Sequence, residues 1–121
     1  MKILLDTNFL VYCAKQKIDY ISEMPVEGKL VVLSSVVSEL EKLAEKAKKA
    51  RDKEAAKLAL ELLEHNKVKI IKIDEKEADE AILKSVEEKD AVATMDKELK
   101  KKLKGKTRIL SIIGKRKLGI L

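Results

Sequence analysis

Four carboxylates spread along the chain have the types and spacing to act together: Asp6, Glu39, Asp79 and Asp96. In an open parallel sheet, ligands bind beyond the carboxyl ends of the strands, where each strand turns into its following helix. Applied residue by residue, that rule puts Asp6 at the end of strand one and Glu39 near the start of the helix after strand two. It puts Asp79 in the early turns after strand three and Asp96 at the end of strand four, so all four line one rim. Taken singly, each has a plain structural use: Asp6 and Asp96 cap helices, and Glu39 and Asp79 favour positive helix N-termini. Taken together, like charges gathered in one cleft are costly unless a cation neutralises them. Ligands made only of oxygen suit Mg²⁺ or Mn²⁺ rather than zinc.

Other metal and acid–base chemistry is poorly supplied. Cys13 is the single cysteine, which excludes an internal disulfide and a multi-cysteine zinc site. With Phe9 and Leu10 it reads as the apolar face of a helix, packed in the core. His65 is the single histidine, between Glu64 and Asn66 where a helix ends, so histidine-paired catalysis is excluded.

The elements that must position the acids follow from the apolar pattern. Residues 3–5, 30–33, 68–73, 91–93 and 109–113 are short apolar runs, most of them rich in β-branched residues, and read as five strands. Between them the spacing is helical: Val36, Val37, Leu40, Leu43, Ala44 and Ala47 share a stripe, as do Ala55, Leu58, Ala59, Leu62 and Leu63. Those two stripes form a helical pair inserted between strands two and three. Asp74 and Glu77 read as a capping pair opening the helix that carries Ala78, Ala81, Ile82 and Val86. Strands alternating with helices predict an α/β fold: a three-layer α/β/α sandwich around a parallel sheet with right-handed crossovers.

At 121 residues and 45% hydrophobic content, the chain is expected to form a single domain spanning residues 1–121. No run approaches the roughly 18 apolar residues of a membrane span, and Asp6 interrupts the first run too early for a signal peptide. The expected location is the cytoplasm, without membrane association. Charged residues make up 40% of the chain, mostly Lys and Glu, a balance that suits ion-pair-rich surfaces of heat-stable proteins. The net charge of +6 favours a polyanionic partner, although lysine-rich surfaces also produce it. Phe9, Tyr12 and Tyr20 are too few for a base-stacking platform.

The residues around the acids carry a resemblance. Asp6-Thr7-Asn8 resembles the opening motif of the PIN-domain nucleases, and Ser34-Ser35-Val36-Val37-Ser38-Glu39-Leu40 is similar to their second acidic motif. Ala78-Asp79-Glu80-Ala81-Ile82 is similar to the third, and Thr94-Met95-Asp96-Lys97-Glu98-Leu99 to the fourth. The resemblance implies a sheet in the order 3-2-1-4-5 and an endoribonuclease dependent on Mg²⁺ or Mn²⁺. It implies Asp6, Glu39, Asp79 and Asp96 as the acidic quartet, with Asn8 and Thr94 as polar supports. Asp6, Asp79 and Asp96 would hold metal, and Glu39 would orient the attacking water. Met95 departs from the pattern: many members have Asn there, so one supporting hydrogen bond is unaccounted for. The motif after strand four and the basic segment beyond it are most similar to an archaeal branch related to small-subunit ribosomal-RNA processing nucleases. The toxins of toxin–antitoxin pairs are also similar. The implied partners are RNA, a second copy in a homodimer, and an antitoxin or a ribosome-assembly factor.

From Asp96 to Leu121 there are ten Lys or Arg against two acidic residues. Lys100, Lys101, Lys115, Arg116 and Lys117 are the candidate phosphate contacts, set against a plain solvated face. Leu118, Ile120 and Leu121 predict that the chain end docks. Lys46, Lys48, Lys49, Arg51 and Lys53 mark the turn of the inserted pair, read chiefly as an exposed hairpin.

Two other classes compete. A catalytically silent RNA-binding scaffold would bind RNA without metal dependence, against which the intact quartet argues. A phosphotransfer domain also gathers acids at strand ends. The phosphatase type needs a second Asp where Asn8 stands, and the receiver type needs a lysine after the last strand, where Ser111-Ile112-Ile113-Gly114 runs instead. No phosphate-cradling glycine loop exists among four glycines.

Overall fold

Strands buried on both faces need nearly continuous apolar sequence, and the first, second and fourth runs supply it. In the computed structural model, which describes residues 1–121, they form β1 (Lys2–Leu5), β2 (Lys29–Leu33) and β4 (Ala91–Ala93) at the centre of one sheet. Around them lie β3 (Lys69–Ile71), β5 (Arg108–Ile113) and β6 (Lys117–Ile120). The helices are α1 (Thr7–Gln16), α2 (Tyr20–Glu23), α3 (Ser34–Lys46), α4 (Ala50–His65), α5 (Ala78–Ser85) and α6 (Lys97–Leu103).

The sheet order is β3-β2-β1-β4-β5-β6. Its first five strands run parallel in the expected order 3-2-1-4-5. The sixth is a correction: β6 pairs antiparallel to β5, with Leu118 opposite Ile112, so the sheet is mixed. Gly114, at φ +67, turns the chain between them, in a conformation that costs glycine little. The docking expected of Leu118 thus takes the form of an edge strand.

Two smaller expectations also change. β3 is confined to Lys69–Ile71, because it forms the sheet edge and Ile70 is exposed there. The Asp74–Glu77 capping pair does not form: Glu77 is the N-cap of α5 but makes no side-chain cap bond. Ile73 N instead donates to Ser34 Oγ at 3.0 Å, and Lys84 pairs with Glu75 at 2.5 Å, which holds the connection as a loop.

Right-handed crossovers place the helices that follow β1 and β2 on one face of the sheet and those that follow β3 and β4 on the other. The packing agrees, since α1, α3 and α4 contact one another while α5 contacts α6. α3 also touches α5. α3 and α4 are the inserted pair. Cys13 is buried in the core, and Phe9 meets Tyr20 edge to face at 5.8 Å. No helix is long and apolar enough to cross a membrane.

The direction of the crossovers reverses between β1 and β4, where a crevice opens beyond the strand ends. Register decides what faces it: Leu5 pairs with Ala93, which makes Asp6 and Thr94 neighbours just past the last rung. Asp6 N donates to Ala93 O at 2.9 Å, extending the ladder to the acid itself.

Candidate active site

Asp6 is the N-cap of α1, and its Oδ1 accepts from Thr7 N at 2.9 Å. Asp96 caps α6 in the same way, its Oδ1 accepting from Glu98 N at 2.9 Å and Leu99 N at 3.2 Å. The capping use weighed from sequence is therefore real, but it occupies one oxygen of each carboxyl. Asp6 Oδ2 accepts from Thr94 Oγ1 at 2.7 Å, and the same hydroxyl accepts from Asp96 N at 3.0 Å. Asn8 Oδ1 accepts from Met95 N at 3.1 Å, which bridges α1 to the loop after β4. The Met95 side chain, where many family members have asparagine, lies with its Sδ 3.4 Å from Ser111 Oγ.

The Asp6 side chain is 5% exposed. Burial pushes its pKa up to about 6, the charges of Glu39 and Asp96 add to the rise, and the bonds from Thr94 and Thr7 resist it. Glu39 presents exposed surface on α3, yet loss of water around its carboxyl is the main reason its pKa is raised. Thr7 opposes that rise, while the charges of Glu77 and Asp79 reinforce it. Asp6 thus feels Glu39 and Asp96, and Glu39 feels Asp79, so one electrostatic environment links all four positions. Asp79 itself is half-buried in the first turn of α5, its Oδ1 accepting from Glu80 N at 2.9 Å.

No three acidic, histidine or cysteine side chains stand close enough to form a ready-made metal-binding group. The rim is a shared field of negative charge, not a closed cage. That suits Mg²⁺, and Mn²⁺ with similar ligands, because Mg²⁺ keeps several of its own waters and takes only one or two carboxylates directly. No lysine or arginine pairs with Asp6, Asp79 or Asp96 to supply the counter-charge instead.

The basic candidates are not gathered at the rim. Lys100 and Lys101 lie on α6, which starts at Asp96 and carries them roughly 6–8 Å along its axis. Lys101 stands 3.7 Å from Glu98 on the same helix. Lys115 and Arg116 occupy the β5–β6 turn, and Lys117 opens β6. That turn is fastened to α1, with Tyr12 Oη donating to Lys115 O at 2.8 Å and Arg116 Nη1 donating to Gln16 O at 2.7 Å.

Residues 3–116 match the PIN-like domain family. The chain belongs to that family. Among curated relatives of this PIN-like chain, Ribonuclease VapC4 of Methanocaldococcus jannaschii is 42% identical over 108 residues, covering 84% of this chain and 82% of the relative. Ribonuclease VapC9 of Archaeoglobus fulgidus is 37% identical over 103 residues, covering 83% and 73% respectively. Among solved structures, the PIN domain endonuclease Utp24 superposes with a TM-score of 0.77 at 26% identity, covering 98% of this chain and 90% of that one.

Several residues near the PIN-like rim escaped the sequence reading. Glu77, taken for half of a capping pair, adds its charge beside Glu39. Thr7 lies between two quartet acids with its hydroxyl buried and unpartnered. Its place inside Asp6-Thr7-Asn8 was the available signal. Tyr12 and Lys15 carried no signal, since only the packing of α1 against α3 and α4 brings them to the site.

Proposed function

We propose that this PIN-like protein is an endoribonuclease that hydrolyses RNA phosphodiester bonds with Mg²⁺ or Mn²⁺. One observation carries the reading: Asp6 is a buried carboxyl without a cationic partner, raised to about 6 by burial and by the neighbouring charges of Glu39 and Asp96. A group so placed favours a cation once ionised. The relatives named ribonucleases and the endonuclease with the same fold support the same class of activity.

Asp6, Asp79 and Asp96 would hold the cation, one or two of them directly and the rest through its waters, and when bound it would offset their charge, polarise the phosphate and acidify water. Thr94 and Asn8 keep the ends of β1 and β4 in register, so that Asp6 and Asp96 stay on one side of the phosphate. Glu39, whose carboxyl is raised above its ordinary pKa chiefly by loss of water, orients the attacking water and takes a proton from it. The water oxygen adds to phosphorus in line, the bond to the opposite ribose oxygen breaks, and that oxygen takes up a proton.

The role we assign is processing of ribosomal RNA in the cytoplasm, with a ribosome-assembly factor as partner and the chain acting as a homodimer. A second reading, the ribonuclease of a toxin–antitoxin pair, is favoured by the identity to two VapC-named ribonucleases. Structured and unstructured RNAs incubated with Mn²⁺ or with chelator, beside Asp6→Asn, test the activity. Cleavage that survives chelation or the substitution sinks it, and RNA affinity without any cleavage marks the protein as a silent scaffold. Induced expression separates the roles: growth arrest relieved by a co-expressed antitoxin supports the second, and unchanged growth the first.

A further inference from the structure

A hollow of about 320 Å³ opens between α1 and α3, beside the quartet. Thr7, Asn8 and Glu39 give it one polar side, shared with the acids, and Lys15 lies on its wall. Tyr12, Leu43 and Met95 give it apolar walls, continued by Val11. Its size is at the low end of the about 300–1,000 Å³ typical of small-ligand sites.

The walls are held in place. Tyr12 is tethered through its hydroxyl to Lys115 O at 2.8 Å, and Met95 through its amide to Asn8 at 3.1 Å. Lys15 pairs with Asp52 of α4 at 2.5 Å. Thr7 Oγ1 faces Glu39 closely enough to favour its charged form but makes no well-formed hydrogen bond, although Thr7 is 4% exposed.

We propose that this hollow receives one nucleobase of the RNA, that of a nucleotide adjoining the cleaved phosphodiester. The inference rests on the endoribonuclease reading. A base is flat and apolar on its faces and polar at its edges, which matches apolar walls with the Asn8 amide and the Glu39 carboxylate at one side. Unstacked RNA bases bind in this way, stacked on an aromatic ring and hydrogen-bonded along an edge. A single tyrosine cannot form a platform, but one base needs only one ring. Met95 gains a use here: where an asparagine would present amide groups, a thioether adds apolar wall. A partner's leucine or methionine side chain would fit the same walls but has no polar edge for the exposed Asn8 amide beside them, so the base is the better occupant.

The test is an abasic scan. Binding of a short single-stranded RNA, too short for a second register, is measured by fluorescence anisotropy at low salt in chelator, with each base in turn removed. Loss of one base is expected to weaken binding about tenfold, the scale of one base–aromatic stack. With Mn²⁺ added, the cut should fall beside that nucleotide. Tyr12→Ala should erase the difference, and Tyr12→Phe, which keeps the ring and loses only the bond to Lys115, should retain it. A flat scan with wild-type protein overturns the proposal, as does a scan unchanged in folded Tyr12→Ala. Base-dependent binding without cleavage sinks the nuclease reading alone, and cleavage with a flat scan sinks the hollow alone.

Discussion

Thr94 Oγ1 donates a 2.7 Å hydrogen bond to Asp6 Oδ2 across 88 positions of sequence. The same hydroxyl accepts from Asp96 N, so one side chain fixes two acids on adjacent strand ends. Thr94→Val should cost about 1–3 kcal/mol in denaturant unfolding, because it leaves buried partners unmet. It should lower cleavage by about 10–100-fold, as loss of a supporting bond to a metal ligand does. Thr94→Ser should restore most of both, and a serine variant no better than valine would contradict the hydroxyl's role.

The raised pKa of Asp6 fixes a sign. In the unfolded chain its carboxyl titrates near about 3.9, and in the folded, metal-free protein at about 6, chiefly through burial. Folding therefore favours the protonated form. The penalty is absent below about pH 4, grows as pH rises to about 6, and then levels off near about 3 kcal/mol. Asp6→Asn should abolish cleavage yet gain stability relative to wild type between about pH 4.5 and 7.5, measured by unfolding in chelator. A gain that shrinks over that interval would show that the charged carboxyl is not penalised.

Cation binding should appear as thermal stabilisation. Mn²⁺ at about one hundred times its dissociation constant should add about 2.7 kcal/mol to the wild-type fold, and chelator should remove it. Asp6→Asn and Asp96→Asn should show little response. An equal rise in melting temperature for all three proteins would place the cation elsewhere.

Asp90 separates fold from chemistry. It precedes β4 at the opposite end of the sheet, fully buried, and accepts from Lys2 N at 2.9 Å and Glu87 N at 3.0 Å. Burial works to raise its pKa, but those bonds and the Lys2 ammonium at 3.5 Å outweigh it and hold the carboxyl below its ordinary value. The stability it contributes is present above about pH 4 and is lost as pH falls through its lowered pKa. Asp90→Asn should cost about 3 kcal/mol at neutral pH while leaving the cleavage rate per folded molecule unchanged. A rate that falls with stability would link this end of the sheet to catalysis.

The β5–β6 turn is a basic cluster tied to the helix that follows Asp6. Neutralising Lys115, Arg116 and Lys117 together should lower the salt-dependence slope of single-stranded RNA binding by about two. An unchanged slope would remove the turn from the RNA path. Because Arg116 also bonds Gln16 O, circular dichroism should accompany the measurement.

The sequence alone determined five of the six strands, which helices carry apolar stripes, and that Asp6, Glu39, Asp79 and Asp96 lie where strands give way to helices. These are local properties: periodicity within a few residues sets which face is buried, and a carboxylate that ends an apolar run stays at the rim under any packing of that run. Tertiary structure decided what touches what. Thr94 meets Asp6 because Leu5 pairs with Ala93, and Glu39 feels Asp79 because α3 packs on α5. The final residues became a strand because the edge of β5 lay open to them, and Tyr12 reached the hollow because α1 packs against α3 and α4. Strand register and helix contact depend on partners tens of residues away, whose pairing is chosen by the closure of the whole core, so no window of sequence contains them.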